Sequence, residues 1–277
     1  MPSWPTLRIG QSLRLGVAAD GLALLRVSGL LAPAAEVVAV QPVESGAPDA
    51  LANGLRALLQ EAGARGAQKG GAMSVVLADE LVHLWQVPPP GGASRLGDLQ
   101  AAAAFRFQSL FGASAHEWRI SADWSATRPF LAAAVPAGLM TLLEGLAREH
   151  RFSLVEVVPQ FVAAMNAWRR ERRPGAWFGL VHGGVLSLAA YEGMALAAVR
   201  TAVIPDGADR DWLEAHVARE ALRVGVGRPE RLQLCGAAPG GWASSAGRLK
   251  FACTLLEDDS LGDWPVHVRL ARTGIPA

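Results

Sequence analysis

Two stretches of the chain have the same order of elements, and this repetition restricts the fold more than any other feature of the sequence. Each stretch begins with three apolar strands in succession and continues into a helix and a further strand. Mixed strands and helices in this order are typical of an α/β fold, and the repetition indicates two related halves. The strands are predicted at residues 13–17, 22–27 and 36–40 in the first stretch and at 177–181, 185–191 and 195–203 in the second.

The first two strands of each stretch are joined by a turn that contains glycine. In the first stretch this is Asp20-Gly21, a dipeptide that is typical of tight β-hairpin turns. In the second it is His182-Gly183-Gly184. The two hairpins align without gaps over 15–22 and 178–185, which matches Gly16 with Gly179 and Gly21 with Gly184.

A run of proline and glycine at residues 88–92 interrupts the chain, and we predict that a subdomain begins near it. A helix is predicted at 98–111 and two strands at 116–124 and 129–135. The predicted first half comprises residues 1–88 and 130–172, the inserted small α+β subdomain residues 89–129, and the shortened second half residues 173–277.

Composition excludes several classes of protein. The 277 residues are 51% hydrophobic and 18% charged, which is enough apolar material for a folded core. Every apolar run is broken before the ~20 residues that a membrane span needs, and no apolar stretch with a cleavage site begins the sequence. A net charge of +1 gives no overall field that attracts nucleic acid. We expect a cytoplasmic protein that neither spans a membrane nor binds nucleic acid.

The densest positive charge comes from four arginines at residues 169–173, directly before Pro174 and Gly175. Because proline and glycine end helices, we interpret these arginines as the last turn of a helix predicted at 160–173, where cations favour the helix dipole. A patch that binds phosphate or a partner is the alternative.

Other chemically reactive residues are predicted to have structural roles. Two cysteines are too few for a disulfide scaffold, and the apolar residues around Cys235 and Cys253 predict buried free thiols. His216 and Glu220 share a helix face, which we interpret as a surface pair and not a metal site. Trp4, Trp242 and Trp264 lie in loops or near the termini, as interface anchors or as residues that pin loose segments.

Three stretches are distinctive when they are taken together: Gly16-Val17-Ala18-Ala19-Asp20-Gly21, residues 181–205, and Leu234-Cys235-Gly236-Ala237-Ala238. With the helix and strand at 98–124, they resemble the PilM/GspL family of cytoplasmic assembly-platform proteins from type IV pilus and type II secretion machines. In that family the first strand pair typically reads Gly-Ile-Asp-Ile-Gly.

The resemblance implies an actin-like (ribonuclease H-like) fold of two duplicated halves with an inserted subdomain. It also implies a partner: the family's actin-like domain takes up the cytoplasmic tail of an inner-membrane protein, similar to PilN, so the chain would be peripheral at that membrane. Degenerate nucleotide-binding loops are implied at Asp20, Gly21, His182, Gly183, Gly184, Gly236 and Ala237.

The chemistry of those loops predicts little or no ATP hydrolysis. Actin-like ATPases place acidic side chains at the ends of the paired strands to hold Mg²⁺ and its waters. Here the first expected acid is Ala18 or Ala19, depending on the gap, and the second is His182. An imidazole is a poor ligand for Mg²⁺, which prefers oxygen. We therefore expect weak or absent nucleotide binding and no cofactor or metal.

Two hypotheses of function follow from these residues and from the resemblance. The leading one is a non-catalytic adaptor of a pilus or secretion platform. The alternative is an active actin-like or sugar-kinase-type ATPase that uses Asp20 to hold Mg-ATP. A role of the same fold in an unrelated complex stays open. The esterase Gly-x-Ser-x-Gly elbow, the P-loop and the dinucleotide glycine motif are all missing from the sequence.

Overall fold

The computed structural model describes residues 11–29, 34–44, 48–64, 71–243, 251–257 and 264–275. Within these ranges the chain forms thirteen strands and six helices. The strands are β1 Gln11–Val17, β2 Gly21–Ser28, β3 Ala34–Pro42, β4 Ala72–Leu77, β5 His83–Val87, β6 Trp118–Ala122, β7 Phe130–Pro136, β8 Ser153–Pro159, β9 Trp177–His182, β10 Val185–Glu192, β11 Ala195–Val203, β12 Arg231–Gly236 and β13 Ala252–Leu255. The helices are α1 Pro48–Ala64, α2 Leu96–Phe111, α3 Ala137–Glu149, α4 Gln160–Ala167, α5 Arg210–Val224 and α6 Val266–Arg272.

The chain divides into two compact units. The first comprises Met1–Glu80, Thr141–Gln160 and His267–Ala277, and the second comprises Leu81–Met140 and Phe161–Val266. The boundaries of these units differ from those of the predicted halves. The prediction places all of 173–277 in the second half, whereas α6 from His267 onwards lies in the first unit.

The first unit is built on a five-stranded sheet with the order β3-β2-β1-β4-β8. Strands β1, β2 and β3 pair in antiparallel fashion, while β4 and β8 run parallel to β1. Strand β2 is buried without alternation because both faces of the sheet are covered. On one face Leu22 lies against Gly54 of α1. On the other, Ala23 and Leu25 pack with Val268 and Ala271 of α6.

The second unit repeats this sheet, with the order β11-β10-β9-β12-β13 and the same pattern of antiparallel and parallel pairs. Its two faces are also covered. Helix α5 packs Leu213, Val217 and Ala221 against one face, and α4 packs Phe161 and Ala164 against the other. The prediction of two related halves is therefore confirmed by sheet order and strand direction.

The second unit also contains a small three-stranded antiparallel sheet of order β5-β7-β6. Helix α2 covers it through Leu99, Ala103 and Phe107. This is the small α+β substructure expected at 89–129, although β5 and β7 extend it on both sides of that range.

One predicted helix is shorter than expected. The pattern predicted a helix over 160–173, but α4 ends at Ala167 and residues 168–171 form turns. The arginines at 169–173 are therefore not the last turn of a helix, and that interpretation is wrong. The buried Gln233 side chain binds the backbone of Arg173 and Glu171, which holds the segment out of helical geometry.

Strand β13 and helix α6 were not predicted at all.

Candidate functional site

The hairpin loops predicted as nucleotide loops have the same backbone register in both units. In the first unit Val17 pairs with Leu22, and the Ala18 N–H donates to the carbonyl of Gly21 at 2.9 Å. In the second unit His182 pairs with Val185. The neighbouring parallel strand confirms the match, because Ala78 N–H donates to the Val17 carbonyl and Ala237 N–H to the Val181 carbonyl, at 2.9 and 3.0 Å.

This register makes Val17 the equivalent of Val181 and Ala18 the equivalent of His182. The gapless sequence alignment is thus one residue out of step with the structure, since it matched Val181 with Ala18. The two positions where the resemblance predicted acids are therefore Ala18 and His182, and neither is a carboxylate.

The residues at the tips of the loops differ. Gly183 and Gly184 form the second turn with φ of 55° and 76°, which glycine adopts without strain. In the first unit the tip is Ala19 and Asp20, neither with positive φ, so the expected Asp20-Gly21 turn is shifted by one residue. Gly21 is needed for a different reason: a Cβ there would overlap the imidazole of His267, at the start of α6.

The first loop is contacted by side chains of its own unit. The Asp20 side chain is 77% exposed, and its Oδ1 lies 3.8 Å from Nδ1 of His267. The N–H of Ala19, in the turn itself, donates to the carboxylate of Glu80 at 3.2 Å. An N–H group that would have to approach a phosphate is therefore already bound to an acceptor with negative charge.

The glycine loop at the end of β12, beside the second hairpin, also binds a carboxylate of its own unit. Gly236 has φ of 78°, and a Cβ on it would overlap the carbonyl oxygen of Val181. Its N–H donates to the Glu257 carboxylate at 2.6 Å, and the Ala238 N–H donates to the Gly236 carbonyl at 2.8 Å. The structure thus brings Gly236 and Ala237 next to Val181, the residue before His182.

These contacts make the loops poorly suited to bind phosphate. Phosphate cradles in proteins present free backbone N–H groups and a positive local potential. Here the N–H groups of Ala19 and Gly236 are bound by Glu80 and Glu257. Carboxylates at these places repel phosphate, and no group of three or more His, Cys, Asp or Glu residues within the described ranges is placed to hold a metal ion.

Comparison with known proteins agrees with this architecture. No protein-family model and no curated protein matches the sequence. Among solved structures the chain is similar to a PilM-PilN type IV pilus biogenesis complex, with 18% identity over 96% of this chain and 99% of the other and a TM-score of 0.61. It is similar to the cytoplasmic domain of EpsL, an inner-membrane component of the type II secretion system of Vibrio cholerae, with 14% identity, 96% and 94% coverage and a TM-score of 0.59.

A third similar structure is a Bacteroides thetaiotaomicron protein with an actin-like ATPase fold and unknown function. It is 9% identical over 86% of this chain and 87% of the other, with a TM-score of 0.57. The chain has the actin-like fold. The predicted fold class is confirmed, and so is the resemblance to the PilM/GspL proteins at the level of structure. None of the helices in the described ranges combines the length and apolar character that crossing a bilayer requires.

Within the actin-like fold, the pair His216 and Glu220 is buried, so its assignment to the surface is wrong. His216 stacks on Trp212 with ring centroids 5.2 Å apart. Glu220 accepts hydrogen bonds from Arg200 at 3.0 Å and Arg223 at 2.7 Å. Burial raises the pKa of the Glu220 carboxyl, but these hydrogen bonds outweigh burial and hold the pKa below its usual value. Glu220 joins α5 to β11 through Arg200, and the pair has a structural role.

Both cysteines are buried thiols outside any disulfide, as predicted. Burial raises the pKa of Cys253 to about 11 and that of Cys235 well above its ordinary value. Trp242 is 1% exposed and its indole N–H donates to the Ala208 carbonyl at 3.1 Å, so it pins its loop. Trp264 is 36% exposed, and Trp4 lies outside the described residues.

The sequence did not predict the residues that fill the loops. Each of them is distant in sequence from its partner. Glu80 lies 61 residues from Ala19, Glu257 lies 21 residues from Gly236, and His267 lies more than two hundred residues from Asp20. No local pattern identifies such contacts, because they depend on how distant segments return to the sheet.

Proposed function

We propose that the chain is a non-catalytic adaptor in the inner-membrane assembly platform of a type IV pilus or type II secretion system. It acts at the cytoplasmic face of that membrane, where it binds the cytoplasmic tail of a PilN-like membrane partner. The observation that carries the proposal is that carboxylates of the chain itself bind N–H groups in two of the predicted nucleotide loops. Glu80 binds Ala19 in the first hairpin, and Glu257 binds Gly236 at the end of β12.

The similar solved structures support the choice of machine. Two of them belong to pilus and type II secretion assemblies, and one was determined with PilN in the complex. This chain spans nearly the whole length of both. An actin-like fold with sheet edges can take up an extended tail by adding a strand, in which backbone hydrogen bonds provide affinity.

The alternative function, an active ATPase, depends on Asp20. Its exposed carboxylate is the one acid at the tip of either turn, which is the observation in its favour. However, Asp20 lies two residues beyond Ala18, the equivalent of His182, and His182 supplies no second oxygen ligand for Mg²⁺. We therefore propose that the chain has no ATPase activity.

Affinity capture from a detergent extract of the source organism tests the adaptor. The tagged full chain is expected to recover an inner-membrane protein with one membrane span and a short cytoplasmic tail. A synthetic peptide of that tail should then bind the purified chain saturably, whereas a peptide of scrambled sequence should not. Recovery of no pilus or secretion membrane protein would contradict the proposal.

A further inference from the structure

An arginine-rich pocket lies at the end of the second unit's five-stranded sheet that is opposite to its hairpin loop. We define it by the turn 169–173 together with Arg228 and Arg231. Strand β12 begins at Arg231 and ends at Gly236, so the pocket and the glycine loop are separated by the length of the strand, roughly 20 Å. The pocket is therefore a different site from the predicted nucleotide loops.

The turn is held in a fixed shape by buried polar contacts. Gln233, which is 4% exposed, accepts a hydrogen bond from the Arg173 N–H at 2.8 Å and donates one to the Glu171 carbonyl at 3.0 Å. Arg172 donates to the hydroxyl of Tyr191, with its guanidinium 5.5 Å from the centre of that ring. Because the backbone is fixed in this way, the remaining arginines are presented from a rigid base.

Most of the positive charge in the pocket has no partner among the residues that the structure describes. Arg169, Arg170, Arg173, Arg228 and Arg231 are exposed, and none forms an ion pair with another described residue. The Nε of Arg172 is buried without a hydrogen-bond partner among the described groups. Six arginines stand here against three glutamates, Glu171, Glu192 and Glu230, in a chain whose net charge is only +1.

The surface is concave. A cavity of about 920 Å³ is lined by Arg173, Tyr191 and Arg228, and its floor includes the buried residues Ala176 and Phe251. A second cavity of about 520 Å³ shares Arg173 and Arg231 with it and extends to Arg170 and Thr254. Because they share lining residues, the two cavities adjoin each other.

We propose that the arginine-rich pocket binds an acidic, extended segment of a partner protein. Guanidinium groups recognise Asp and Glu carboxylates through paired hydrogen bonds, and the apolar floor accepts the small or apolar side chains between them. The three glutamates within the pocket would repel a continuous polyphosphate, and the concave shape does not suit a flat bilayer. Both features favour a protein segment of mixed sequence over nucleic acid or a lipid surface.

The test is fluorescence anisotropy with the full chain and a fluorescein-labelled peptide of alternating Glu and Ala. Saturable binding is expected to weaken as salt rises, because exposed charges are screened. The double variant R173E/R231E should lose at least about tenfold in affinity, since it replaces two attractive exposed charges with repulsive ones. The milder R173Q/R231Q should lose less.

The matched control is R119E/R128E, which changes the net charge equally at exposed arginines of the small three-stranded sheet region. It should bind the peptide nearly as well as the unchanged chain, and unfolding curves should show that all variants are folded. Equal losses in R173E/R231E and R119E/R128E would overturn the proposal. So would tighter binding to phosphatidylglycerol vesicles or to a single-stranded oligonucleotide than to the peptide, or binding of a Lys-Ala peptide with equal affinity.

Discussion

The hairpin loop of the first unit and that of the second have the same hydrogen-bond register but reach it with different residues. The first turn has Ala19 and Asp20 at its tip, and the second has Gly183 and Gly184. In the first unit a histidine side chain from α6 fills the space beside Gly21. In the second unit the close contact lies outside the hairpin, between Gly236 at the end of β12 and the backbone of β9. A duplicated backbone therefore does not preserve a duplicated chemistry, because the same turn positions hold Ala19 and Asp20 in one unit and two glycines in the other.

The largest effect is expected at Gly236. Gly236→Ala places a Cβ on the Val181 carbonyl and forces an alanine to φ of 78°, which should cost about 2 to 4 kcal/mol in the free energy of unfolding. Gly225 has the same φ of 78° with open space around it, so Gly225→Ala isolates the strain and should cost about 1 kcal/mol. Denaturant unfolding followed by tryptophan fluorescence measures both. Equal losses would show that the Val181 contact is unimportant.

A smaller effect is expected at Gly21, and a second substitution should relieve it, because the added Cβ would overlap a side chain and not the backbone. Gly21→Ala should cost about 1 to 2 kcal/mol, and most of that cost should disappear when it is combined with His267→Ala. A double-mutant cycle on unfolding free energies gives the coupling. Additive effects of the two substitutions would contradict the proposed packing of His267 on this turn.

The carboxylates of Glu257 and Glu80 allow a direct comparison between a partly buried and an exposed hydrogen bond. Glu257→Ala leaves the partly buried Gly236 N–H without its acceptor and should cost about 1 to 2 kcal/mol. Glu80→Ala removes an exposed hydrogen bond that water replaces, so unfolding should change by less than about 0.5 kcal/mol. The same unfolding measurement applies to both variants. A larger loss for Glu80→Ala than for Glu257→Ala would reverse the assignment of the better-protected loop.

The fold was largely predictable from the sequence because its signals are local. Apolar runs separated by turn residues indicated the strands, and the repeated order indicated two halves. Helix α4 was predicted too long, since the capture of the 169–173 turn by Gln233 is a tertiary contact that local propensity does not contain. The unpredicted helix α6 is short and polar in part, and it acquires its place by packing on β2.

Only one feature of the candidate site was predictable from the sequence, namely that the expected acidic residues are missing. Ala18 and His182 can be read from the sequence, whereas the carboxylates that fill the loops come from segments that local patterns do not connect. The one-residue error in aligning the hairpins has the same origin. Matching glycines suggested one register, but the hydrogen bonds of Val17 and Val181 to the neighbouring strands fix another.

Titration calorimetry with ATP and Mg²⁺ tests the central claim most directly, namely that the two loops no longer bind a metal–nucleotide. The intact chain is expected to give no saturable heat at micromolar ATP, and Asp20→Ala is expected to behave identically. Micromolar binding of Mg-ATP that is lost in Asp20→Ala would contradict the account and would favour the active ATPase.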